Sequence, residues 1–296
     1  MAGKIGKRAK QIVIPIVTAF AALTAISGCA KQSGQDQDEQ RYVTIKGSDT
    51  MVHLVSNWAE SFMQQNPGTE VSVTGGGSGT GIAALLNGTT DICAASREIR
   101  DKESKLAVQK GIQPNEIVVA RDGIAVVVNP DNPVSELTVE QLGNIFTGES
   151  RRWSAVGGPD EEIIVLSRES SSGTYVFFQE KVLKRQDFMQ GAKLLPATSA
   201  IIQAVSTDRL AIGYVGLGYA AGAEDRVKII AVKADDPSPA VVPSAETIRS
   251  GQYPIARPLY LYVNGQPRGT VKQFVDFCLS GDGQEIVEQT GYVAVR

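Results

Sequence analysis

Three short turns rich in Ser, Thr and Gly carry the residues of this sequence that are best suited to bind a ligand. They read GSDT at 47–50, GGGSGTG at 75–81 and RESSSGT at 168–174, and each stands between a strand-like and a helix-like segment. A helix N-terminus offers unpaired backbone N–H groups, glycine lets the backbone approach a ligand, and hydroxyl groups add further donors. Together the three turns predict a site for an oxyanion.

Two arginines accompany these turns. Arg168 opens the third turn, and Arg97 directly follows the strand-like segment DICAAS. A guanidinium group binds an oxyanion in bidentate fashion. A Gly/Ser-rich turn before a helix is more often a plain cap, and an arginine is more often solvated or structural. The occurrence of three such turns in one chain is therefore what favours a binding site.

Other chemistries have weaker support in the sequence. The glycine-rich run continues as GIAALL and lacks the Lys-Ser/Thr ending of a P-loop. No G-x-S-x-G motif occurs, and the single histidine, His53, falls in the first helical segment, so a serine hydrolase is disfavoured. The lack of a Cys/His cluster argues against zinc. We expect no metal, no cofactor and no enzymatic activity; a phosphate-ester hydrolase using a serine of the third turn stays as an alternative.

An α/β fold must position the turns, because strand-like and helix-like segments alternate along the chain. YVTIKG, EVSVTG and DICAAS are typical of strands, whereas residues 51–65 and GIAALLNG are typical of helices. A second series of the same kind runs from LTVEQLGNIFTG to AIGYVGLGYA. The runs GIAVVVNPDNPV and PLYLYVN predict two crossings between two lobes. Ligands usually bind in a cleft between such lobes.

The N-terminal region predicts a lipoprotein signal. A basic stretch at 4–10 precedes an apolar run at 12–26, which is too short for a comfortable membrane span and ends in ISGC. The sequence predicts a signal peptide over 1–28, with lipid attached to Cys29; an ordinary signal peptide is the alternative. Residues 29–40 are polar and aperiodic, which predicts a flexible tether.

The charge and the cysteine content indicate which partners and which redox state to expect. Without residues 1–28, which contain four basic and no acidic residues, 25 basic and 32 acidic residues leave a net charge of about −7. We therefore expect no nucleic-acid partner. Cys93 and Cys278 form an even pair in an oxidising compartment, so a disulfide is possible. The chain is large enough not to need one, and the apolar surroundings of Cys93 favour two buried free thiols.

Several long motifs resemble those of one known family: IKGSDTM, VTGGGSGTGIAALLNGTTDICAASREI, DGIAVVVNPDNP, SRESSSGTYVFF, AIGYVGLGY and ARPLYLYVN. They are similar to the phosphate-binding proteins of bacterial phosphate ABC transporters, over nearly all of the predicted mature domain. The resemblance implies an α/β, two-lobed type II periplasmic-binding-protein fold, each lobe being a mostly parallel sheet flanked by helices. The implied lobes are residues 41–124 with 258–296, and residues 125–257.

The same resemblance implies a function. A monomer in the cell envelope, held to a membrane by lipid, would bind inorganic phosphate outside the cytoplasmic membrane and deliver it to a membrane permease. Alternatives are another tetrahedral oxyanion, such as sulfate, molybdate or tungstate, and a phosphate sensor. The implied phosphate ligands are Asp49, Thr50, Ser78, Ser96, Arg97, Arg168, Ser172, Gly173 and Thr174.

At two of these positions the sequence departs from one form of the family pattern. Some members have threonine at the position of Asp49 and an aspartate at the position of Arg97, and that aspartate accepts the proton of hydrogen phosphate. We hypothesise that Asp49 takes the acceptor role here while Arg97 adds a donor. The alternative is that Asp49 caps a helix or pairs with Arg97.

Overall fold

The computed structural model describes residues 42–295. The predicted signal peptide, the tether and Cys29 lie outside the described residues. Within 42–295, no helix combines the length and the apolar character that a membrane span requires.

The first part of the described chain alternates strands and helices as predicted. It forms β1 (Tyr42–Gly47), a 3-10 turn (Asp49–Met51), α1 (Val52–Gln65), β2 (Glu70–Thr74), α2 (Ser78–Leu86), β3 (Ile92–Ala95), α3 (Asp101–Gln109), β4 (Pro114–Val128), β5 (Glu136–Thr138), α4 (Val139–Thr147) and a 3-10 turn (Trp153–Val156).

The remainder continues the same alternation. It forms β6 (Ile164–Arg168), α5 (Gly173–Lys181), β7 (Lys193–Leu195), α6 (Thr198–Thr207), β8 (Ala211–Gly216), α7 (Leu217–Ala221), β9 (Lys228–Ile229), β10 (Ala231–Lys233), α8 (Ala245–Arg249), β11 (Ala256–Asn264), α9 (Gly269–Cys278) and α10 (Gly281–Gln289).

Among the described residues, nine strands form a mixed sheet with the order β2-β1-β3-β11-β4-β8-β6-β7, and β9 pairs with β4. At one end β1 runs parallel to β2 and β3, and at the other end β6 runs parallel to β7 and β8. The middle strands β4 and β11 are antiparallel to each other and to their outer neighbours. The predicted α/β fold is therefore confirmed, with parallel pairing at both ends of the sheet and antiparallel pairing at its centre.

The two crossings predicted from sequence are β4 and β11. The segments EIVVA and GIAVVV belong to one strand of 15 residues, β4. Its first part pairs with β11 and its last five residues pair with β8, so it links the two ends of the sheet. The charged residues that separate the two apolar segments stay within the strand, because Asp122 is paired with Arg257 on β11.

Helices cover both faces of the sheet at each end, and four buried apolar clusters fill the space between the layers. The last two helices return to the first part of the chain. Trp58 of α1 donates through its indole N–H to the carbonyl of Gly283 at 2.7 Å. Phe62 meets Phe274 edge to face, with ring centroids 5.4 Å apart. This docking buries the apolar face of α1, as the 51–65 pattern predicts.

The two cysteines of the described chain, Cys93 and Cys278, are buried and unpaired, which confirms the expectation of free thiols. Burial raises the pKa of both thiols above their ordinary value. Both therefore stay neutral and act as small apolar groups of the core.

The packing of α2 on β1 generates a prediction. A Cβ at Gly81 would lie 2.4 Å from the carbonyl oxygen of Lys46 and 2.5 Å from Cα of Gly47. Backbone atoms cannot rotate away, so we expect Gly81→Ala to lower the free energy of unfolding by about 1–3 kcal/mol in urea titrations. Gly281→Ala is the matched control, because no atom lies within 4 Å of its Cβ position. Equal stability of the two variants would contradict this packing.

Candidate functional site

The three turns singled out in the sequence meet at the centre of the sheet. The first follows β1, the second lies between β2 and α2, and the third lies between β6 and α5. The second and third turns touch directly, since the N–H of Gly79 donates to the carbonyl oxygen of Ser171 at 3.0 Å. Strands of a common sheet thus bring together segments that are about 90 residues apart in the chain.

Four buried hydroxyl groups lie at this meeting point and are called the hydroxyl cluster below: Thr50, Ser78, Ser96 and Thr174. Thr50 and Thr174 share a hydrogen bond of 2.8 Å between their Oγ1 atoms, and Ser78 and Ser96 share one of 3.2 Å. A Cβ on Gly173 would lie 2.2 Å from Ser78 Oγ and 2.6 Å from Ser96 Oγ. Only glycine fits there, so the start of α5 abuts both serines.

Two further serines support the cluster. Ser172 is the N-cap of α5, where its Oγ accepts hydrogen bonds from the N–H groups of Thr174 and Tyr175 at 3.2 and 3.4 Å. Ser48 donates from its Oγ to Ser96 Oγ at 2.9 Å. The sequence interpretation missed Ser48, although it lies inside the GSDT turn, because a small polar residue in a turn has no feature of its own that signals burial.

A buried ion pair that the sequence interpretation also missed lies against the hydroxyl cluster. Arg257 donates through Nε and Nη2 to Asp122 Oδ2 at 3.1 and 2.8 Å, and both side chains are almost fully buried. Its Nη2 also reaches Thr174 Oγ1 at 3.1 Å, and its Nη1 donates to the carbonyl of Ser96 at 3.0 Å. Of the arginines in the described chain, this is the one recorded in contact with the cluster's hydroxyl groups.

The environment of Asp122 fixes how this pair behaves. Burial raises the pKa of Asp122 above its ordinary value, and the charge and hydrogen bonds of Arg257 oppose that rise. The second carboxylate oxygen accepts the N–H of Leu217 at 3.0 Å. The sequence did contain a signal for this ion pair. Asp122 and Arg257 stand inside the strand-like runs DGIAVVV and ARPLYLY, and a charged residue in a buried strand requires a partner.

Asp49 lies beside the cluster but has different partners from those expected. Its Oδ2 accepts hydrogen bonds from the N–H and the Oγ1 of Thr198, at 2.8 and 2.7 Å, and lies 3.3 Å from Nη1 of Arg168. Burial lowers the pKa of Arg168, and the charge of Asp49 opposes that effect. The other donors of Arg168 bind backbone carbonyls of the turn between β7 and α6. The suggested pairing of Asp49 with Arg97 is therefore wrong, because α6 and β6 lie closer to Asp49.

Arg97 is held by α3 instead. Its Nη1 and Nη2 each donate to one carboxylate oxygen of Glu103 at 2.8 Å, and Nη1 also donates to the carbonyl of Glu98. Its Nε is buried without a hydrogen-bond partner among the described residues. Of the predicted site residues, the structure thus gathers Thr50, Ser78, Ser96, Gly173 and Thr174, joins Asp49 to Arg168, and directs Arg97 to Glu103.

Comparison with known proteins identifies the family to which this chain belongs. Residues 31–282 match the model of the PBP superfamily domain. The phosphate-binding protein PstS of Staphylococcus epidermidis is 33% identical over 294 residues, covering 97% of this chain and 89% of that protein. The chain belongs to the PstS family of the PBP superfamily. PstS of Staphylococcus haemolyticus is 34% identical, with 96% and 92% covered.

Solved structures resemble this PstS-family chain in fold as well. A substrate-binding protein from Clostridium perfringens, solved with bound phosphate, is 30% identical, with a TM-score of 0.78 and coverage of 86% of this chain and 100% of that one. An ABC-type phosphate transport receptor from Vibrio cholerae is also 30% identical, with a TM-score of 0.68 and coverage of 85% and 99%.

The clamp between Arg97 and Glu103 generates a pH prediction. Burial alone would raise the pKa of Glu103, but hydrogen bonds from Arg97 and from the N–H of Arg100 bring that pKa below its ordinary value of 4.5. A carboxylate with a lowered pKa in the folded state stabilises the fold above pH 4.5, and this contribution disappears as the pH falls through the folded-state pKa.

We therefore expect Glu103→Gln to lower the free energy of unfolding by about 1–3 kcal/mol at pH 7. The difference from the wild type should shrink as the pH falls below 4.5. Urea titrations of both proteins across this range measure it. A difference that stays constant with pH would contradict the role of the ionised carboxylate.

Proposed function

We propose that this chain binds inorganic phosphate outside the cytoplasmic membrane and delivers it to the permease of an ABC transporter. The observation that carries the proposal is the buried hydroxyl cluster, to which three turns contribute and against which the guanidinium of Arg257 is packed. Membership of the PstS family and the likeness to a phosphate-bound structure support it.

The chemistry of the cluster suits a tetrahedral oxyanion. Phosphate has four oxygens that need several donors at once, and a buried anion is stable only where hydrogen bonds and a cation compensate its charge. Hydroxyl groups of the cluster can rotate to donate, and the positive end of α5, whose N-cap is Ser172, lies beside them. The proposed direct ligands are the hydroxyl cluster, Ser172, Gly173 and Arg257.

The remaining predicted residues, Asp49, Arg97 and Arg168, lie around the proposed direct ligands. Arg97 and Arg168 add positive charge near them, and Asp49 is the carboxylate of the first turn. No step of this function makes or breaks a covalent bond, in keeping with a family of binding proteins. Sulfate and other tetrahedral oxyanions are the competing ligands, and a titration of the purified full-length protein with phosphate, arsenate and sulfate separates them.

Delivery requires the site to open. We divide the chain into lobe one, residues 41–124 with 258–296, and lobe two, residues 125–257. The side chains of Thr50 and Thr174, one from each lobe, are each 1% exposed. Since an anion cannot reach groups buried to this degree, the lobes must separate for loading and close afterwards. Hinge closure of this kind is typical of periplasmic binding proteins.

Direct ligation by the third turn is tested at Thr174. Removal of a hydroxyl that binds a charged ligand costs about 1.5–3 kcal/mol, so we expect Thr174→Ala to weaken phosphate binding by about 10-fold to 100-fold in calorimetric titrations. Thr174→Ser keeps the hydroxyl and should stay close to the wild type. Thr207→Ala, at the exposed end of α6, is the control. Wild-type affinity in Thr174→Ala would contradict direct ligation.

Transport and anchoring are tested in cells. We expect deletion of the protein to reduce phosphate uptake, whereas a sensor would change gene regulation and leave initial uptake rates intact.

We expect Cys29→Ala to shift the protein from the membrane fraction to the soluble fraction, because the lipid attachment point is lost. Cys93→Ala is the matched control, since that thiol is buried in the core. Retention of the Cys29→Ala protein on membranes would contradict lipid anchoring.

A further inference from the structure

Asp49 stands in lobe one, but the recorded partners of its carboxylate stand in lobe two. The N–H and Oγ1 of Thr198 donate to Oδ2 at 2.8 and 2.7 Å, and Nη1 of Arg168 lies 3.3 Å away. The hydroxyl of Tyr219, also in lobe two, donates to the backbone carbonyl of Asp49 at 3.1 Å. One residue of lobe one thus binds three residues of lobe two.

The helix that Asp49 reaches lacks a cap of its own. The N-cap position of α6 is Ala197, which makes no side-chain hydrogen bond to the helix. A carboxylate accepting an N–H at a helix N-terminus gains from both the hydrogen bond and the helix dipole. Asp49 supplies this cap from the opposite lobe, and α6 gains it only while the lobes are closed.

The ion pair of Asp122 and Arg257 lies on the crossing strands β4 and β11 themselves. Two other polar contacts between the lobes near Asp49 differ in kind from those of its carboxylate. Thr50 and Thr174 join through neutral hydroxyls, and Gly79 and Ser171 join through backbone groups. The side chains of Thr50 and Thr174 belong to the proposed ligand set, so they must give up part of their mutual contact to hold an anion. Asp49 can keep its partners when the ligand binds, because neither Thr198 nor Arg168 belongs to the proposed set of direct ligands.

We propose that Asp49 is a latch between the lobes: a positioning residue that stabilises the closed arrangement and thereby sets how long phosphate stays bound. The inference rests on the proposed phosphate-binding function. It is an alternative to the hypothesis that Asp49 accepts the proton of the ligand, and it is favoured by the contacts of Oδ2, which all come from lobe two. Apparent affinity falls when the binding-competent state is less populated, so loss of the latch weakens binding without changing the ligand contacts.

The test is Asp49→Asn in the full-length protein. We expect the Kd for phosphate to rise by about 10-fold to 100-fold, the usual effect of losing hydrogen bonds to a charged group. Rapid-mixing experiments should assign the change to a faster koff, with kon nearly unchanged. Arsenate should be affected to the same extent, and the preference for phosphate over sulfate should persist. Asp131→Asn, at an exposed turn, is the matched control.

Thr198→Val provides a second variant on the opposite lobe, in which the N–H remains and only the Oγ1 donor is lost. We expect a smaller increase in koff, and a double variant whose effect is less than the sum of the single effects, because the two side chains share one interaction. Unchanged koff in both single variants would overturn the latch. Loss of phosphate-over-sulfate preference in Asp49→Asn would overturn it in favour of the proton-acceptor role. Failure of the wild type to bind phosphate would instead refute the proposed function.

Discussion

The ion pair of Asp122 and Arg257 is the interaction on which the rest of the site depends. The two residues face each other on the crossing strands β4 and β11, at the point where the sheet passes from one end to the other. Two charges taken out of water are costly unless each is paired and hydrogen-bonded, and here each carries several partners. Loss of either residue would leave the other as an uncompensated buried charge.

Arg257 also connects parts of the molecule that are far apart in the chain. Its Nη1 binds the carbonyl of Ser96 at the end of β3, its Nη2 binds Thr174 at the start of α5, and its Cζ lies 5.4 Å from the ring centroid of Phe177. A guanidinium group suits this position because its donors point in fixed, separate directions. The positive charge beside the hydroxyl cluster is thus held by the strands themselves, while the hydroxyls come from the turns.

Three arginines lie in or near the predicted site, and each has different contact partners in the structure. Arg257 faces the hydroxyl cluster, Arg168 pairs with Asp49, and Arg97 is held by Glu103. Arg97 and Arg168 adjoin recognisable turns, so sequence interpretation selected them. Arg257 lies in a strand-like run, where a charge offers no local motif. The residue with the most direct contact to the cluster was therefore the hardest of the three to predict.

Much of the fold was predictable from local pattern, because the period of apolar residues and the position of glycines and prolines depend on neighbours in the chain. The alternation of strands and helices, the three turns and the two crossings all follow from such patterns. β4 is the exception in detail, since the charges of RDG interrupted its apolar pattern and hid its continuity.

The sequence by itself determined which segments could offer donors to an anion: turns of small residues in front of helices. Only the tertiary structure decided which charges face one another. The charged partners of Arg97 and Arg257 lie 6 and 135 residues away in the chain, and Asp49 pairs with Arg168, 119 residues away. Such distances carry no periodic signal, and an ion pair forms wherever packing brings two charges within a few ångströms. Pairing with Arg97 was one hypothesis for Asp49, and the structure instead places its carboxylate at the N-terminus of α6, in contact with Thr198 and Arg168.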